Sequence, residues 1–214
     1  DDANVAKIDL SKFKGKVIYF GFSDKSNYKI SNVLHIGDGL QFSLQSGDKI
    51  SDFFVPGYAE FNVYNAAAAV AATHILGIDF EKSRARLAYF QNVEKHFELH
   101  KGINGSIIID DTWSTNPTST ETALNLLKKI SDGKKTIAAL GKMSLLGDMS
   151  HKYHKEIGST VAALGIDELI IIGDGANEIG LGALKSGMNQ DHIHFCKSSD
   201  EAYEVLKKGL DNNS

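Results

Sequence analysis

One cysteine in 214 residues excludes an internal disulfide. Cys196 follows the apolar run Ile193-His194-Phe195 and reads as a strand residue rather than a nucleophile. A single buried thiol suits a reducing compartment, and a cytoplasmic location is expected. No stretch of ~18 apolar residues exists, which argues against a transmembrane helix. The start, Asp1-Asp2-Ala3-Asn4, lacks the basic residues and apolar stretch of a secretory signal. It also lacks an initiator Met, as expected of a processed start. The net charge of −4 gives no general reason to expect nucleic acid or an anionic membrane as partner. A phosphate-binding P-loop is missing too, since that loop ends in Gly-Lys-Ser/Thr. Gly133-Lys134-Lys135-Thr136 carries an extra lysine and precedes a strand, and Gly141-Lys142-Met143 lacks the hydroxyl residue. The chain therefore does not grip a triphosphate and its Mg²⁺ in that mode.

What remains is an ordinary globular composition, 42% apolar and 23% charged, long enough for one large domain or two small ones. The character changes near residue 95. Before it come short strands: Val17–Phe22, Tyr28–Ile36, Leu40–Leu44 and Asp52–Val55, with a turn at Gly37-Asp38-Gly39. An Ala-rich helix over Asn62–Leu76 ends at Gly77, and its alanines allow close packing on a neighbour. A second helix covers about Glu81–Tyr89, with Asp79 a candidate cap.

From Ser106 onward strands and helices alternate. The strands are Ser106–Ile109, Thr136–Leu140, Glu168–Ile172 and His192–Cys196. The helices are Thr120–Ile130, Tyr153–Leu164, Ala176–Lys185 and Asp200–Leu210. Four βα units with apolar strands predict an α/β fold with a doubly wound, mainly parallel sheet. The chain stops after a helix at Asp211-Asn212-Asn213-Ser214, so a terminal strand is expected beyond it.

In such sheets ligands bind beyond the carboxyl ends of the strands. The segment Ile107-Ile108-Ile109-Asp110-Asp111-Thr112-Trp113-Ser114-Thr115-Asn116-Pro117 reads as a buried parallel strand running into a polar loop. Thr118 or Ser119 would then cap the next helix. The paired aspartates and Asn116 are candidates for holding a ligand. An acidic Asx turn with a helix cap explains them equally well. Lys142, at the end of the next strand, is open to two readings: a contact for phosphate or carboxylate, or a solvated lysine. His151 and His154 are three apart but lack further ligands for zinc, so no metal site is expected. His154 still lies where it could line the ligand edge. Asn62 and Asn65 share one helix face. Asn62 is explained by capping, whereas Asn65 is left for a ligand such as adenine. Gly173-Asp174-Gly175-Ala176-Asn177-Glu178-Ile179-Gly180 suggests a dinucleotide loop, but its third glycine is two positions late.

Three blocks carry a wider resemblance. They are Phe61-Asn62-Val63-Tyr64-Asn65-Ala66-Ala67-Ala68-Ala69, Leu76-Gly77-Ile78, and Asp110-Asp111-Thr112-Trp113-Ser114-Thr115-Asn116-Pro117. Together they resemble the Mur ligase family, and within it the members that add D-alanyl-D-alanine. Leu140-Gly141-Lys142-Met143-Ser144-Leu145-Leu146-Gly147 with His154 is similar to that group's Gly-Asp-Met…Glu-Leu-Gly…His stretch. The resemblance covers nearly the whole chain. It implies an ATP-dependent peptide ligase of peptidoglycan precursor synthesis. Such an enzyme phosphorylates a carboxylate with ATP and Mg²⁺ and lets an amine displace phosphate. Its partners would be small nucleotide and peptide substrates. Residues 1–95 would be the strand-rich second half of the ATP-binding domain, and residues 96–214 a Rossmann-like lid domain. The P-loop and magnesium ligands would lie upstream, so this piece alone is expected to be inactive.

By position, the resemblance gives Asn65 the adenine and Asp111 the ribose. His96 falls on the nucleotide side, Asn116 near both nucleotide and acceptor, and Lys142 and His154 toward the incoming amine. Three departures stand out. Lys95-His96-Phe97-Glu98 replaces a hinge arginine, Lys142 replaces an aspartate, and Leu145 replaces a glutamate. A charge reversal at Lys142 points to a carboxylate-rich acceptor. Two other readings remain open: a Mur-like binding module without catalysis, and a nicotinamide-dependent oxidoreductase, which the off-register glycines disfavour.

Overall fold

The computed structural model describes residues 7–91 and 93–210. The calls on Asp1–Asn4 and Asp211–Ser214 lie outside them. The chain divides into two compact units, Asp1–Asn92 and Val93–Ser214.

The first unit is a sheet of four strands in the order β1 (Phe20–Gly21), β2 (Tyr28–Ile36), β3 (Gly39–Ser46), β4 (Lys49–Pro56). β1 runs parallel to β2, and the rest form an antiparallel meander. Period-2 alternation sends Leu40, Phe42 and Leu44 to one face, where all three are fully buried. Against them packs α1 (Phe61–Ile75), whose Val63, Ala66, Ala67, Val70 and Ala71 are buried. Small side chains at these positions let the helix sit close to the sheet. Gly77 follows α1 with φ +86 and donates to His74 O, while Ile78 donates to Thr73 O, a Schellman closure that satisfies the helix's last carbonyls. Phe80 begins α2 (Phe80–Leu87) and stacks edge-on against Phe53.

Three expectations need correction here. Only Phe20–Gly21 of Val17–Phe22 pairs as strand, because the Tyr19 N–H is taken by the Asn27 side chain. Asp79 occupies the N-cap of α2, but its carboxylate accepts no capping bond. Asn62 is not a cap either: it is a buried residue inside α1.

The second unit holds two sheets. β5 (Glu98–Lys101) and β6 (Ile107–Asp110) form an antiparallel pair, and β7 (Ile137–Leu140), β8 (Glu168–Ile172) and β9 (Ile193–Cys196) form a parallel sheet in that order. The expected buried parallel strand at Ile107 is therefore overturned. Among the described residues β6 pairs with β5 alone, and Ile107 and Ile108 are about half exposed. The parallel sheet is wound on both faces. Leu169 and Ile171 of β8 pack toward α4 (Ser150–Ala163) and α5 (Asn177–Lys185), through Ile157, Val161, Ile179 and Ala183. Ile170 and Ile172 pack toward α6 (Ser199–Leu210), through Ala202, Val205 and Leu206. Burial on both faces explains why residues 169–172 of β8 form a continuous apolar run. Among the described residues no helix is long and apolar enough to cross a membrane.

At the amino end of this sheet, Glu168 collects one lysine and two histidines. Its Oε1 meets Lys135 Nζ and His192 Nδ1, both at 3.1 Å, and its Oε2 meets His194 Nε2 at 2.8 Å. Burial alone would raise this carboxyl, but the donors His194, Lys135 and His192 hold it down to about 2. A depressed carboxylate stabilises the fold above its ordinary value of 4.5 and loses that contribution as pH falls toward about 2. Melting temperature should therefore decline through this acidic window. Glu168→Gln should flatten that limb and melt lower at neutral pH. An unchanged acid limb in the variant would remove Glu168 from the account.

Candidate functional site

β6 delivers Asp110 and Asp111 to its carboxyl end, and the two part ways there. Asp110 Oδ1 accepts from the Thr112 N–H at 3.0 Å and the Thr112 hydroxyl at 2.7 Å, an Asx turn. Asp111 turns the other way, and its Oδ1 accepts from the Phe97 N–H at 3.3 Å. Burial raises the Asp111 carboxyl. The Phe97 bond and His96 pull it back, and Asp110 adds to the rise.

The segment that meets Asp111 is tightly folded. Lys95 and Phe97 both adopt left-handed backbone, with φ of +59 and +50, on either side of His96. Non-glycine residues seldom hold such angles without support from their surroundings. Here Lys95 N–H donates to Glu98 Oε2, Lys95 O accepts from Trp113 N–H, and Phe97 is buried. His96 lies half-buried with its ring 6.1 Å from that of Trp113, which is 69% exposed. A carboxylate, an imidazole and an open indole face thus share one rim. That arrangement suits a ligand with hydroxyls on one side and a flat ring on the other. Sequence reading named Asp111 and His96 but passed over Trp113. The signal was available: it is the chain's one tryptophan, and it lies in the loop just after the paired aspartates.

Asn116 is the N-cap of α3 (Pro117–Ile130). Its Oδ1 accepts from Ser119 N–H at 3.0 Å, and Ser119 Oγ accepts from Asn116 N–H at 3.1 Å, a reciprocal capping box. This corrects the expected cap at Thr118 or Ser119. Pro117 has no N–H to satisfy and a φ already set for the first helical position, so the cap falls one residue earlier. Among the described residues no bond is seen to the Asn116 carboxamide nitrogen.

The loop after β7 carries Lys142 and hangs on His154. The Met143 N–H donates to His154 Nε2 at 3.0 Å, which places the proton on Nδ1, where it donates to Ser150 O at 2.7 Å. His154 is 1% exposed with both ring nitrogens engaged. Its expected place at the ligand edge is corrected accordingly, because it fixes the loop from beneath and presents no free nitrogen. Met143 is buried and accepts a Thr120 hydroxyl on its sulfur. With Met143 turned in, Lys142 and Leu145 face solvent, and Leu145 is fully exposed at φ +60. In the dinucleotide-like loop, the open side of Gly175 is occupied by the Lys142 stem, where a pyrophosphate would have to approach. Asn65 is exposed on α1 of the first unit. Among the described residues no group of three or more His, Cys, Asp or Glu converges as a metal site.

Residues 97–213 match the family model of the Mur ligase, glutamate ligase domain. The chain belongs to the Mur ligase family. Among curated Mur ligases, it is 29% identical over 181 residues to the UDP-N-acetylmuramoyl-tripeptide–D-alanyl-D-alanine ligase of Bacillus subtilis, covering 85% of this chain and 39% of that protein. It is 26% identical over 208 residues to the UDP-N-acetylmuramate–L-alanine ligase of Lactococcus lactis, covering 97% and 43%. The chain thus spans about two fifths of the curated Mur ligases it matches. Its fold is that of MurF from Acinetobacter baumannii, with a TM-score of 0.82 at 24% identity over 100% of this chain and 46% of that one. A MurF ligase from Thermotoga maritima in complex with ADP superposes with a TM-score of 0.74 at 20% identity, covering 97% and 44%.

Proposed function

We propose that this chain is the nucleotide-closing and acceptor-binding portion of an ATP-dependent Mur-type peptide ligase acting in cytoplasmic peptidoglycan precursor synthesis. The observation that carries the reading is the rim of Asp111, His96 and Trp113 at the end of β6, in a chain that belongs to this family. In the proposal, residues 1–95 close the ATP-binding domain and residues 96–214 form the lid. Asn65 meets adenine, Asp111 a ribose hydroxyl, and His96 flanks the nucleotide. Asn116 offers its carboxamide nitrogen between nucleotide and acceptor, and Lys142 faces the acceptor.

ATP with Mg²⁺ would supply the acyl phosphate that the acceptor amine displaces. The rim at the end of β6 supports the sugar contact of the nucleotide. The triphosphate and Mg²⁺ do not fit the residues present, because the chain has no P-loop sequence and its described residues form no metal cluster. No phosphoryl-transfer step is assigned to these side chains. Their contribution is to bind and orient, and orientation supplies much of the rate of such bimolecular steps.

The test is acceptor-dependent ADP release by the full-length protein, given ATP, Mg²⁺, UDP-muramoyl-tripeptide and a panel of amino acids and dipeptides. Release with one acceptor is expected, and this chain alone should give none. Replacement of the family's hinge arginine by Lys95-His96-Phe97-Glu98 favours a second reading, a nucleotide-binding module without chemistry. ATP binding with no release under any acceptor would select it.

A further inference from the structure

We infer that Gly175 is a positioning residue for Lys142, and that the lysine so held reads a carboxylate of the incoming acceptor. The inference rests on the ligase reading and adds the chemistry of the acceptor to it.

A Cβ built on Gly175 would meet Lys142 Cδ at 2.6 Å, Cγ at 3.2 Å and Cβ at 3.3 Å. Its three nearest neighbours all belong to one side chain. The lysine stem therefore lies flat on the glycine, and any larger residue would lift it off. Backbone does not demand glycine here, because Gly175 lacks the positive φ seen at Gly173. Gly173 is the converse case, with φ +79 and nothing within 4 Å of an added Cβ. One glycine serves the turn, and the other serves Lys142.

The main chain under Lys142 is fixed as well. Gly141 follows β7 directly, and Met143 is buried and bonded to His154. The ammonium is nevertheless uncommitted, because among the described residues nothing pairs with it. On α4, Lys152 pairs with Glu156, and His151 and Lys155 pair with Glu178. One unpaired ammonium beyond the ends of β7 and β8, its stem laid on Gly175, matches a single carboxylate. A polyphosphate needs a cradle of several donors, and the sequence has no P-loop to supply one.

The test is steady-state kinetics on the full-length protein with D-alanyl-D-alanine and its C-terminal amide. Gly175→Ala should raise the acceptor KM about tenfold, the scale of one charged hydrogen bond. The ATP KM and the kcat at saturating acceptor should stay within about twofold. Lys142→Ala should do the same, and the double variant should be no worse than Lys142→Ala, since the glycine acts only through the lysine. The unaltered protein should discriminate against the amide, and both variants should lose that discrimination. Should Gly175→Ala fold poorly, the double variant should recover the melting temperature, because removing the lysine stem makes room for the added methyl.

Effects that multiply, an acceptor KM untouched by Gly175→Ala, or no recovery in the double variant would overturn the inference. A shift in ATP KM instead would make phosphate the anion bound, and would overturn it too. Each of these results leaves the ligase reading standing. No acceptor-dependent ADP release by the unaltered protein overturns both.

Discussion

Asp111→Asn in the full-length protein is expected to raise the ATP Michaelis constant by about one to two orders of magnitude without lowering the melting temperature. A hydrogen bond from a ribose hydroxyl to a carboxylate is worth about 1.5–3 kcal/mol, and each 1.4 kcal/mol is roughly tenfold. A carboxamide weakens that bond but still accepts the Phe97 N–H, so the fold around it survives. Stability should hold or improve, because burial raises the Asp111 carboxyl and its charged form is therefore disfavoured in the folded state. The same rise makes nucleotide affinity fall on acidification sooner than an ordinary aspartate would allow. A carboxylate kept where it is mildly unfavourable is the pattern of a functional group. Asn at this position with an unchanged ATP constant and a lower melting temperature would assign Asp111 to the turn at Phe97 alone. Calorimetric melts beside initial-rate measurements separate the two.

Gly158→Ala should be strongly destabilising. Its Cβ would sit 1.9 Å from Ile179 O and 2.6 Å from Ala183 N, both main-chain atoms of α5. From the other side, a Cβ on Gly182 would sit 2.2 Å from Lys155 O. Backbone cannot swing aside as a side chain can, so the helices must separate and open the core of Ile157, Val161, Ile179 and Ala183. Overpacking of this kind costs about 3 kcal/mol. In a unit of this size that lowers the melting temperature by roughly 10 °C. A loss of less than about 2 °C would mean that the helices give more easily than their contact implies.

The parallel half of the fold was legible because strands buried on both faces must be apolar throughout. Residues 169–172 were placed on that ground, and Ile193–Cys196, which holds His194 and a half-exposed Phe195, was still placed within a residue. β5 was not legible. Glu98-Leu99-His100-Lys101 carries one apolar residue in four, so nothing in its pattern announces a strand, yet it takes β6 as an antiparallel partner. The isoleucines of β6 therefore read as buried when two of them are half exposed.

Asp111, His96 and Lys142 were picked out by their place after strands or by resemblance, and both signals are local. His154 was misread because its two bonds go to the main chain of Met143 and Ser150, which no side-chain pattern encodes. Gly175 was read as a loop residue because its purpose is a contact with Lys142, 33 positions earlier in the chain.

The glycine seam between α4 and α5 has a consequence for how the acceptor edge meets its ligand. Gly158 and Gly182 bring the two helices to main-chain contact, and Glu178 on α5 is bound to His151 and Lys155 on α4. One helix anchors the Lys142 loop through His154, and the other opens from the turn that holds Gly175. The spacing between lysine and glycine is thus set by a welded pair rather than by the loops themselves. A ligand arriving there finds its cation already aimed, and little ordering entropy is left to lose on binding.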